Sequence, residues 1–298
     1  VDPLLPDEMY ASRFDALVGM LVKTFNVLPM DEALAGWKSG TLPPRALTIT
    51  FDDGYADNFT IACPILLKYG VKAGFFVASG FLNGGIMWND VAREAIRSYR
   101  GDEIDLRWLD LGVRSVANSG ERFRLVEEML LKLKYRTLDR REDALARLVE
   151  ETRACSPGNL MLSTSQLQGL RDAGMEIGGH TCSHPILAVL PEAEARRQIA
   201  EDQERLAELL GQRPRYFAYP NGRPEKDYQA THARIVRGLG YEAAFTTSCG
   251  SVGPESGAFE LPRFTPWDRS LLRFSLRLAQ NFLRSHSPRL LADEAIAW

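Results

Sequence analysis

The chain has 298 residues, of which 45% are hydrophobic and 25% are charged. This composition is typical of a folded globular protein with ample material for a core. The formal net charge of −3 gives no electrostatic reason to expect a nucleic-acid partner, and no apolar run reaches the length of a membrane span.

The four cysteines lie far apart in the chain, and no two of them form a Cys-x-x-Cys pair. This spacing predicts reduced thiols rather than a disulfide framework. The chain begins with Val1, and no basic-then-apolar leader precedes Asp2. The compartment therefore stays open between the cytoplasm and the cell envelope.

The first predicted elements are a helix over 11–24, a short strand over 25–28 and a helix over 31–37. In the first helix, apolar side chains recur at helical spacing. A glycine and two prolines then interrupt the chain before residue 46.

An apolar strand over 46–51 follows, and it ends in Asp52, Asp53 and Gly54. Buried strands that deliver carboxylates at their C-terminal ends commonly build sites in parallel α/β folds. A plain turn has the same composition, because Asp and Gly are ordinary turn residues. A helix over 63–69 and a second buried strand complete a βαβ unit, which predicts parallel pairing.

Residues from about 83 to 160 interrupt this alternation. Three segments rich in Arg, Glu and Asp, over 88–99, 123–135 and 141–152, predict helices with solvated charged faces. We interpret the region as a helical insertion on one side of the domain. Trp88, near its start, either lines a cleft or packs as an ordinary core aromatic.

The α/β pattern returns at Leu162. A capped helix begins near Ser163, and the strand after it ends at His180. The remaining predicted elements are a helix over 191–210, a strand over 216–219, a helix over 228–239 and strands over 243–247 and 261–264. We therefore predict a single α/β domain over 1–298.

The C-terminal tail, about 269–298, reads as a basic amphipathic helix. Leucines and phenylalanines alternate there with arginines such as Arg273 and Arg277. Packing of this helix onto the rest of the domain is the favoured interpretation, and contact with a membrane surface is the weaker alternative.

The second stretch with functional residue types is His180-Thr181-Cys182-Ser183-His184. Histidines four positions apart on a turn or helix face the same way, so both can reach one ion. Two histidines and one carboxylate form a set that leaves positions open for water and substrate. The Asp-Asp pair can supply that carboxylate and still leave its neighbour free as a base. Such a site suits metal-assisted hydrolysis of an amide or ester.

Thr50-Phe51-Asp52-Asp53-Gly54, together with His180-x-x-x-His184, resembles the polysaccharide deacetylases of carbohydrate esterase family 4, the NodB-homology domain. The resemblance covers about residues 45–85 and 160–265. It implies a distorted (β/α) barrel whose site lies at the C-terminal ends of the strands. It also implies that Asp53, His180 and His184 bind a divalent metal, most simply Zn²⁺ with Co²⁺ or Ni²⁺ as alternatives. Asp52 would be the general base.

The third motif of the family departs from the usual Phe-Arg-x-Pro-Tyr-Gly, because Phe217-Ala218-Tyr219-Pro220-Asn221-Gly222 has no arginine. This segment resembles the Phe-Ala-Tyr-Pro variant of exopolysaccharide deacetylases. The resemblance implies that Tyr219 and Pro220 form a groove wall and that backbone N–H groups near Asn221 bind the oxyanion. Arg263 is the candidate to replace the missing arginine, with a surface salt bridge as its alternative role.

The family's Leu-x-His, whose histidine is the general acid, has no counterpart near the C-terminus. His232 and His286 lie in polar segments, where we expect surface residues. Asp52 could instead return its proton to the leaving amine. The Tyr55 N–H could face the oxyanion, or the Tyr55 ring could pack against the loop.

The predicted function is removal of N-acetyl groups from the amino sugars of an oligo- or polysaccharide, in exopolysaccharide or cell-envelope glycan metabolism. A deformylase or another amide hydrolase on the same fold is the nearest alternative, since only the pocket would differ. A non-catalytic carbohydrate-binding relative is the second. Metal content separates that last alternative from an enzyme.

Overall fold

The computed structural model describes residues 2–155, 157–265, 268 and 270–282. Its helices are α1 (Ala11–Thr24), α2 (Met30–Ser39), α3 (Cys63–Lys68), α4 (Trp88–Ser98), α5 (Ser119–Lys134), α6 (Leu138–Thr152), α7 (Thr164–Asp172), α8 (Glu192–Leu210), α9 (Ala230–Gly238) and α10 (Leu271–Phe282). Its strands are β1 (Asn26–Val27), β2 (Ala46–Leu47), β3 (Thr50–Phe51), β4 (Gly74–Val77), β5 (Glu103–Asp105), β6 (Val113–Ser115), β7 (Glu176–Gly179), β8 (Tyr216–Ala218) and β9 (Ala243–Phe245).

The chain forms two compact units. The first consists of residues 2–8 and 84–160, and the second of residues 9–83 and the described residues from 161 onward. The second unit contains the main sheet, in which five parallel strands lie in the order β3-β4-β7-β8-β9. Because the carboxyl ends of parallel strands meet at one edge, the residues that follow β3, β7 and β8 lie at the same end of the sheet.

The two faces of this sheet are buried by different partners. In β4, Phe75 and Val77 belong to the core that includes helices α1, α3 and α7, whereas Phe76 points to the opposite face. On that second face Phe76 packs with Tyr216, Phe245 and Met30. Successive side chains of a strand alternate between faces, so fully buried strands carry apolar residues at every position. The curled parallel sheet with its helices confirms the predicted α/β fold.

The predicted strand over 46–51 is divided into two short strands that belong to different sheets. β2 pairs with β1, and β3 pairs with β4, both in parallel. The hydrogen bonds change partner across Thr48: the Leu28 N–H donates to the Leu47 carbonyl, and the Gly74 N–H donates to the Ile49 carbonyl. A continuous apolar run in the sequence does not reveal such a change of partner.

The predicted last strand over 261–264 is only a single bridge. Leu261 pairs with Phe245 in parallel, at the free edge of β9. Pro262 has no N–H to donate, so the ladder cannot continue past it. The chain resumes hydrogen bonding at Arg263, whose N–H donates to the Ser248 carbonyl.

Helix α10 packs onto the second unit. Its Phe274 and Leu278 contact a cluster that includes Leu17 and Leu21 of α1. This is the packing favoured for the tail. Arg269 and residues 283–298, which include His286, lie outside the described residues.

The first unit contains α4, α5, α6 and the antiparallel pair β5–β6. Its core is a cluster in which Ile96, Leu109, Val126 and Met129 are fully buried. The polar helical patterning predicted all three helices, and the short β5–β6 pair was not predicted because it lies in a polar loop. Trp88 belongs to this unit, and its ring lies 4.9 Å from the Arg141 guanidinium.

Within the described residues, no helix is both long enough and apolar enough to cross a membrane. All four cysteines are described, and each has a free thiol, as predicted.

Candidate functional site

The first loop of the site follows β3 and carries Asp52 and Asp53. Asp53 and Gly54 both have left-handed backbone, with φ values of 75° and 88°. A Cβ atom on Gly54 would lie 2.8 Å from Val77 Cγ1, so glycine is required there by space as well as by conformation. The Ala78 N–H donates to the Asp53 carbonyl (3.1 Å), which ties this loop to the end of β4.

The second loop follows β7 and carries His180 and His184. Two non-glycine residues of this loop, Thr181 and His184, have positive φ values of 67° and 48°. This backbone turns the two imidazoles toward each other, with ring centroids 4.9 Å apart. His180 is 1% exposed and His184 9% exposed, so both rings are shielded from solvent.

Asp53 and the two histidines converge on one point. Asp53 Oδ1 lies 3.3 Å from His180 Nε2 and 3.3 Å from His184 Nε2, and one ligand atom from each residue lies within 4.8 Å of the others. His180 Nδ1 lies 2.7 Å from the Ala218 carbonyl oxygen. A carbonyl only accepts, so Nδ1 carries the proton and Nε2 offers its lone pair to the site. Two imidazole nitrogens and one carboxylate oxygen fit a divalent ion such as Zn²⁺.

The charges of these groups support one another. Burial favours the neutral form of Asp53, but His184 and His180 outweigh it and hold its pKa below the ordinary value. Burial likewise opposes protonation of His180, yet the carboxylates of Asp53 and Asp52 raise its pKa. The two carboxylates thus make this point of convergence favourable for a positive charge.

Asp52 interacts with an arginine, whereas its neighbour Asp53 lies beside the two histidines. Arg263 donates from Nη1 to Asp52 Oδ1 (2.7 Å) and from Nη2 to Asp52 Oδ2 (2.8 Å), a bidentate ion pair. The guanidinium is oriented by a third bond, from Arg263 Nε to the Thr246 carbonyl (2.9 Å). The Asp52 side chain is 29% exposed and that of Arg263 14%, so this pair is not an ordinary surface salt bridge.

The pKa of Asp52 is lowered despite its burial. Burial alone would raise it, but the charge of Arg263, followed by that of His180, outweighs this effect. Asp52 is therefore ionised at neutral pH and able to accept a proton.

The segment after β8 differs from the expected groove wall. Tyr219 is fully buried, its ring is stacked on Tyr228 at 3.8 Å, and its hydroxyl donates to the Phe259 carbonyl (3.0 Å). Pro220 is buried as well. Tyr219 belongs to a core cluster and Pro220 is shielded from solvent, and contact of these two residues with substrate stays a prediction.

Asn221 lies at the edge of this segment and is half-buried, with a φ of 59°. Thr247 Oγ1 donates to the Asn221 carbonyl (2.5 Å), which fixes the loop to the end of β9. Tyr55 is half-buried directly after Gly54, where it forms a bridge with Met161. These two residues remain candidates for substrate contact.

The site geometry agrees with the comparison to protein families. The model of the polysaccharide deacetylase family matches residues 39–105 and 141–244, more than half of the chain. The chain belongs to the polysaccharide deacetylase family. The family predicted from the two motifs is thereby confirmed, although the family model leaves out residues 106–140.

A relative of this chain in Bacillus subtilis strain 168 is named "Putative polysaccharide deacetylase YxkH". It is 21% identical over 219 residues, which are 74% of this chain and 50% of that protein. The chain thus spans about half the length of this relative.

Solved structures share the fold at low identity. The deacetylase PplD of Streptococcus pyogenes, in complex with acetate, superposes with a TM-score of 0.55 at 21% identity over 85% of this chain and 79% of that chain. IcaB of Ammonifex degensii gives 0.52 at 21% identity over 80% and 77%. The BpsB deacetylase domain of Bordetella bronchiseptica gives 0.54 at 17% identity over 84% and 82%. These likenesses confirm the distorted barrel of the NodB type.

Trp88 belongs to the first unit, where its ring faces Arg141, and its contact with substrate stays a prediction. The prediction for another residue, His232, is corrected by the structure. His232 is buried rather than on the surface: its Nδ1 accepts the Gln229 N–H at the start of α9 (2.9 Å). The cause is local: His232 is the N3 residue of α9, and its ring accepts the N–H of the N-cap residue Gln229, as a Glu or Gln does in a capping box.

Sequence reasoning missed two polar residues of α8, Gln198 and Asp202. Both are buried, and both hydrogen-bond to the loop that carries the two histidines. Asp202 occupies the same helix face as Ile199 and Leu206. A carboxylate among inward-facing apolar positions was the available signal, because such a group is buried only when it has partners.

Proposed function

We propose that this deacetylase removes N-acetyl groups from amino sugars of a polysaccharide, with a divalent metal held by Asp53, His180 and His184. The two adjacent carboxylates have different partners, and this difference carries the proposal. Asp53 converges with two imidazoles on one point, whereas both oxygens of Asp52 face Arg263. One carboxylate is thus placed to bind an ion and the other to exchange a proton.

A divalent ion bound to these three residues would polarise the amide carbonyl and lower the pKa of a bound water. The chain's own residues do the rest of the chemistry. Asp52, ionised and fixed in plane by Arg263, accepts the proton of the attacking water. His180 is kept in one tautomer by the Ala218 carbonyl, so its Nε2 stays available.

We propose that Asp52 also supplies the proton that the leaving amine needs. Arg263 favours the ionised form of this carboxyl group, so a proton acquired by Asp52 is readily given up again. When the C–N bond of the amide breaks, that proton goes to the nitrogen, and the products are acetate and a free amine on the sugar. Tyr55 and Asn221 are proposed to contact the substrate from the loops after β3 and β8.

The Phe217-Ala218-Tyr219-Pro220 segment supports an exopolysaccharide or another cell-envelope glycan as the substrate class. A screen for acetate release over N-acetylglucosamine oligomers, with formate release from formylated sugars in parallel, tests this choice. Release of formate alone would favour the deformylase alternative. Release of neither product by zinc-loaded protein would support a binding protein instead.

Two substitutions test the division of roles. Asp52→Asn should keep the metal and lose turnover, by about 10²-fold or more, because general base catalysis contributes about that much. His180→Ala should lose both metal and turnover. Metal content is measured on the purified proteins and acetate release on the same samples. Normal turnover by metal-loaded Asp52→Asn would show that another group is the base.

A further inference from the structure

We propose that Gln198 and Asp202 of α8 are positioning residues that set the geometry of the metal-binding loop 180–184. This inference rests on the proposed function only in taking His180 and His184 as metal ligands. Neither residue contacts the convergence point of the three ligands directly. Each acts through the backbone of the loop that carries the histidines.

Asp202 fixes the ends of two neighbouring strands. Its carboxylate is fully buried; Oδ2 accepts the His180 N–H (2.9 Å), and Oδ1 accepts the Ser79 N–H (3.0 Å). His180 follows β7, and Ser79 follows the end of β4. One rigid carboxylate therefore sets the distance between these two strand ends.

The same carboxylate is linked to the other ligand-bearing loop. The Ala78 N–H donates to the Asp53 carbonyl, and the next residue, Ser79, donates to Asp202. Asp53 and His180 are thus both connected to Asp202 through hydrogen bonds of one or two backbone groups. A displacement of about 1 Å at a site of this kind is enough to impair its function.

Gln198 lies one helical turn before Asp202 and holds the middle of the loop. Its side-chain Oε1 accepts the Ser183 N–H and the Ser183 hydroxyl, both at 3.0 Å. Its backbone carbonyl accepts the Cys182 N–H (3.1 Å). Since residues four apart lie on the same helix face, Gln198 and Asp202 present one polar strip to the loop.

The loop needs such support because its backbone is strained. Thr181 and His184 adopt left-handed conformations, which are unfavourable for residues other than glycine. Thr181 is β-branched, which makes this conformation still less favourable. Strained backbone persists only where the surroundings over-determine it, and the bonds from α8 provide that constraint here.

A purely structural role of these residues makes a different prediction. In that case their replacement would lower the free energy of unfolding and leave the folded metal site unchanged. Gln203 provides the matched control. It is buried on the same helix, next to Asp202, and its Oε1 accepts from Arg213 Nη1 (3.2 Å) rather than from the loop.

The experiment compares Gln198→Ala, Asp202→Asn and Gln203→Ala with the wild-type chain. Zn²⁺ affinity is measured on metal-free protein by competition with a chromophoric chelator, and the Co²⁺-loaded proteins are compared by visible absorption. Thermal unfolding is recorded for each protein. In Asp202→Asn the side-chain oxygen can still accept a hydrogen bond from one backbone N–H. The NH₂ group is itself a donor and cannot accept the second N–H, so that bond is lost.

We expect Gln198→Ala and Asp202→Asn to bind Zn²⁺ 10- to 100-fold more weakly, the usual effect of removing a group that orients a ligand. Their Co²⁺ bands should shift or weaken, because those bands report the ligand geometry. Gln203→Ala should match the wild type in both measurements, whatever its unfolding temperature.

Wild-type Zn²⁺ affinity and an unchanged Co²⁺ spectrum in folded Gln198→Ala would overturn the inference. That variant decides the question even if Asp202→Asn does not fold. Equal loss of affinity in Gln203→Ala would also overturn it, since a general loss of stability would then explain the effect. Failure of the wild-type chain to bind Zn²⁺ would instead overturn the proposed metal site itself.

Discussion

Replacing Arg263 with methionine removes the charged partner of Asp52 and keeps an unbranched side chain in its place. Two effects should follow, and they can be separated. The first concerns the pKa of Asp52, which Arg263 helps to lower. The second concerns the orientation of the carboxylate, which loses two hydrogen bonds of 2.7 and 2.8 Å.

The direction of the first effect follows from the geometry of the pair. An opposite charge at hydrogen-bond distance favours the ionised form of a carboxyl group and so lowers its pKa. Both side chains are less than one-third exposed, so solvent screens this pair only in part. Removing Arg263 raises the pKa of Asp52, so that Asp52 becomes protonated, and can no longer act as a base, at a higher pH than in the wild type. The acid limb of the kcat/KM profile should therefore move to higher pH in the variant.

The effect on the orientation of the carboxylate remains at pH values at which Asp52 is ionised in both the wild type and the variant. At pH 8 the change in pKa no longer matters, and any remaining deficit reports orientation. We expect kcat/KM there to fall by about 10- to 100-fold, as is usual for a misplaced catalytic group.

The assay is acetate release between pH 4.5 and 9, with metal content measured on each sample. Arg215→Met is the control, because Arg215 also makes a bidentate pair, with Glu242, away from the site. An unmoved acid limb together with wild-type activity at pH 8 would refute the role given to Arg263.

Three further predictions follow from the same contacts. Ala218→Arg restores the family's usual residue, but Ala218 is fully buried and leaves no room for an unpaired guanidinium. The variant should therefore unfold at a lower temperature, and the same substitution should not restore activity to Arg263→Met. Recovery of acetate release in the double variant would contradict this. Tyr219→Phe should leave KM unchanged and lower the free energy of unfolding by about 1 kcal/mol, the usual contribution of one hydrogen bond such as that to Phe259. A raised KM would indicate instead that the Tyr219 hydroxyl contacts the substrate. Zn²⁺ affinity should fall as the pH decreases from above 6.5, because the raised pKa of His180 lets protons compete with the ion. A chelator competition series from pH 5.5 to 8 measures this affinity. An affinity that does not change with pH would contradict the prediction.

Much of the fold follows from local patterns. The helix predicted over 11–24 has those bounds in the structure, and the helix predicted over 191–210 begins only one residue later. Apolar spacing and a terminal glycine are local signals, so they need no knowledge of the rest of the chain. The division between β2 and β3 depends on which distant strand lies alongside, and the sequence of 46–51 carries no trace of it.

The same distinction applies to the site. Asp53, His180 and His184 could be predicted to lie together because each belongs to a motif at the end of a strand, and the structure brings them together. The partner of Asp52 lies 211 positions away in the chain, and Arg263 could be named only as one of two alternatives. The burial of Tyr219 could not be predicted from its motif, because its stacking on Tyr228 is a tertiary contact.

The strand order gives the ion pair between Asp52 and Arg263 a second consequence. Asp52 follows β3, at one edge of the five-stranded sheet, and Arg263 follows Leu261, which pairs with β9 at the other edge. Arg263 Nη1 also lies 3.3 Å from Thr50 Oγ1, within β3 itself. The seam of the curled sheet is therefore joined by a side chain, where a closed barrel would use a ladder of backbone bonds. Replacing Arg263 would therefore loosen the contact between the two edges of the sheet and release the proposed base in the same event.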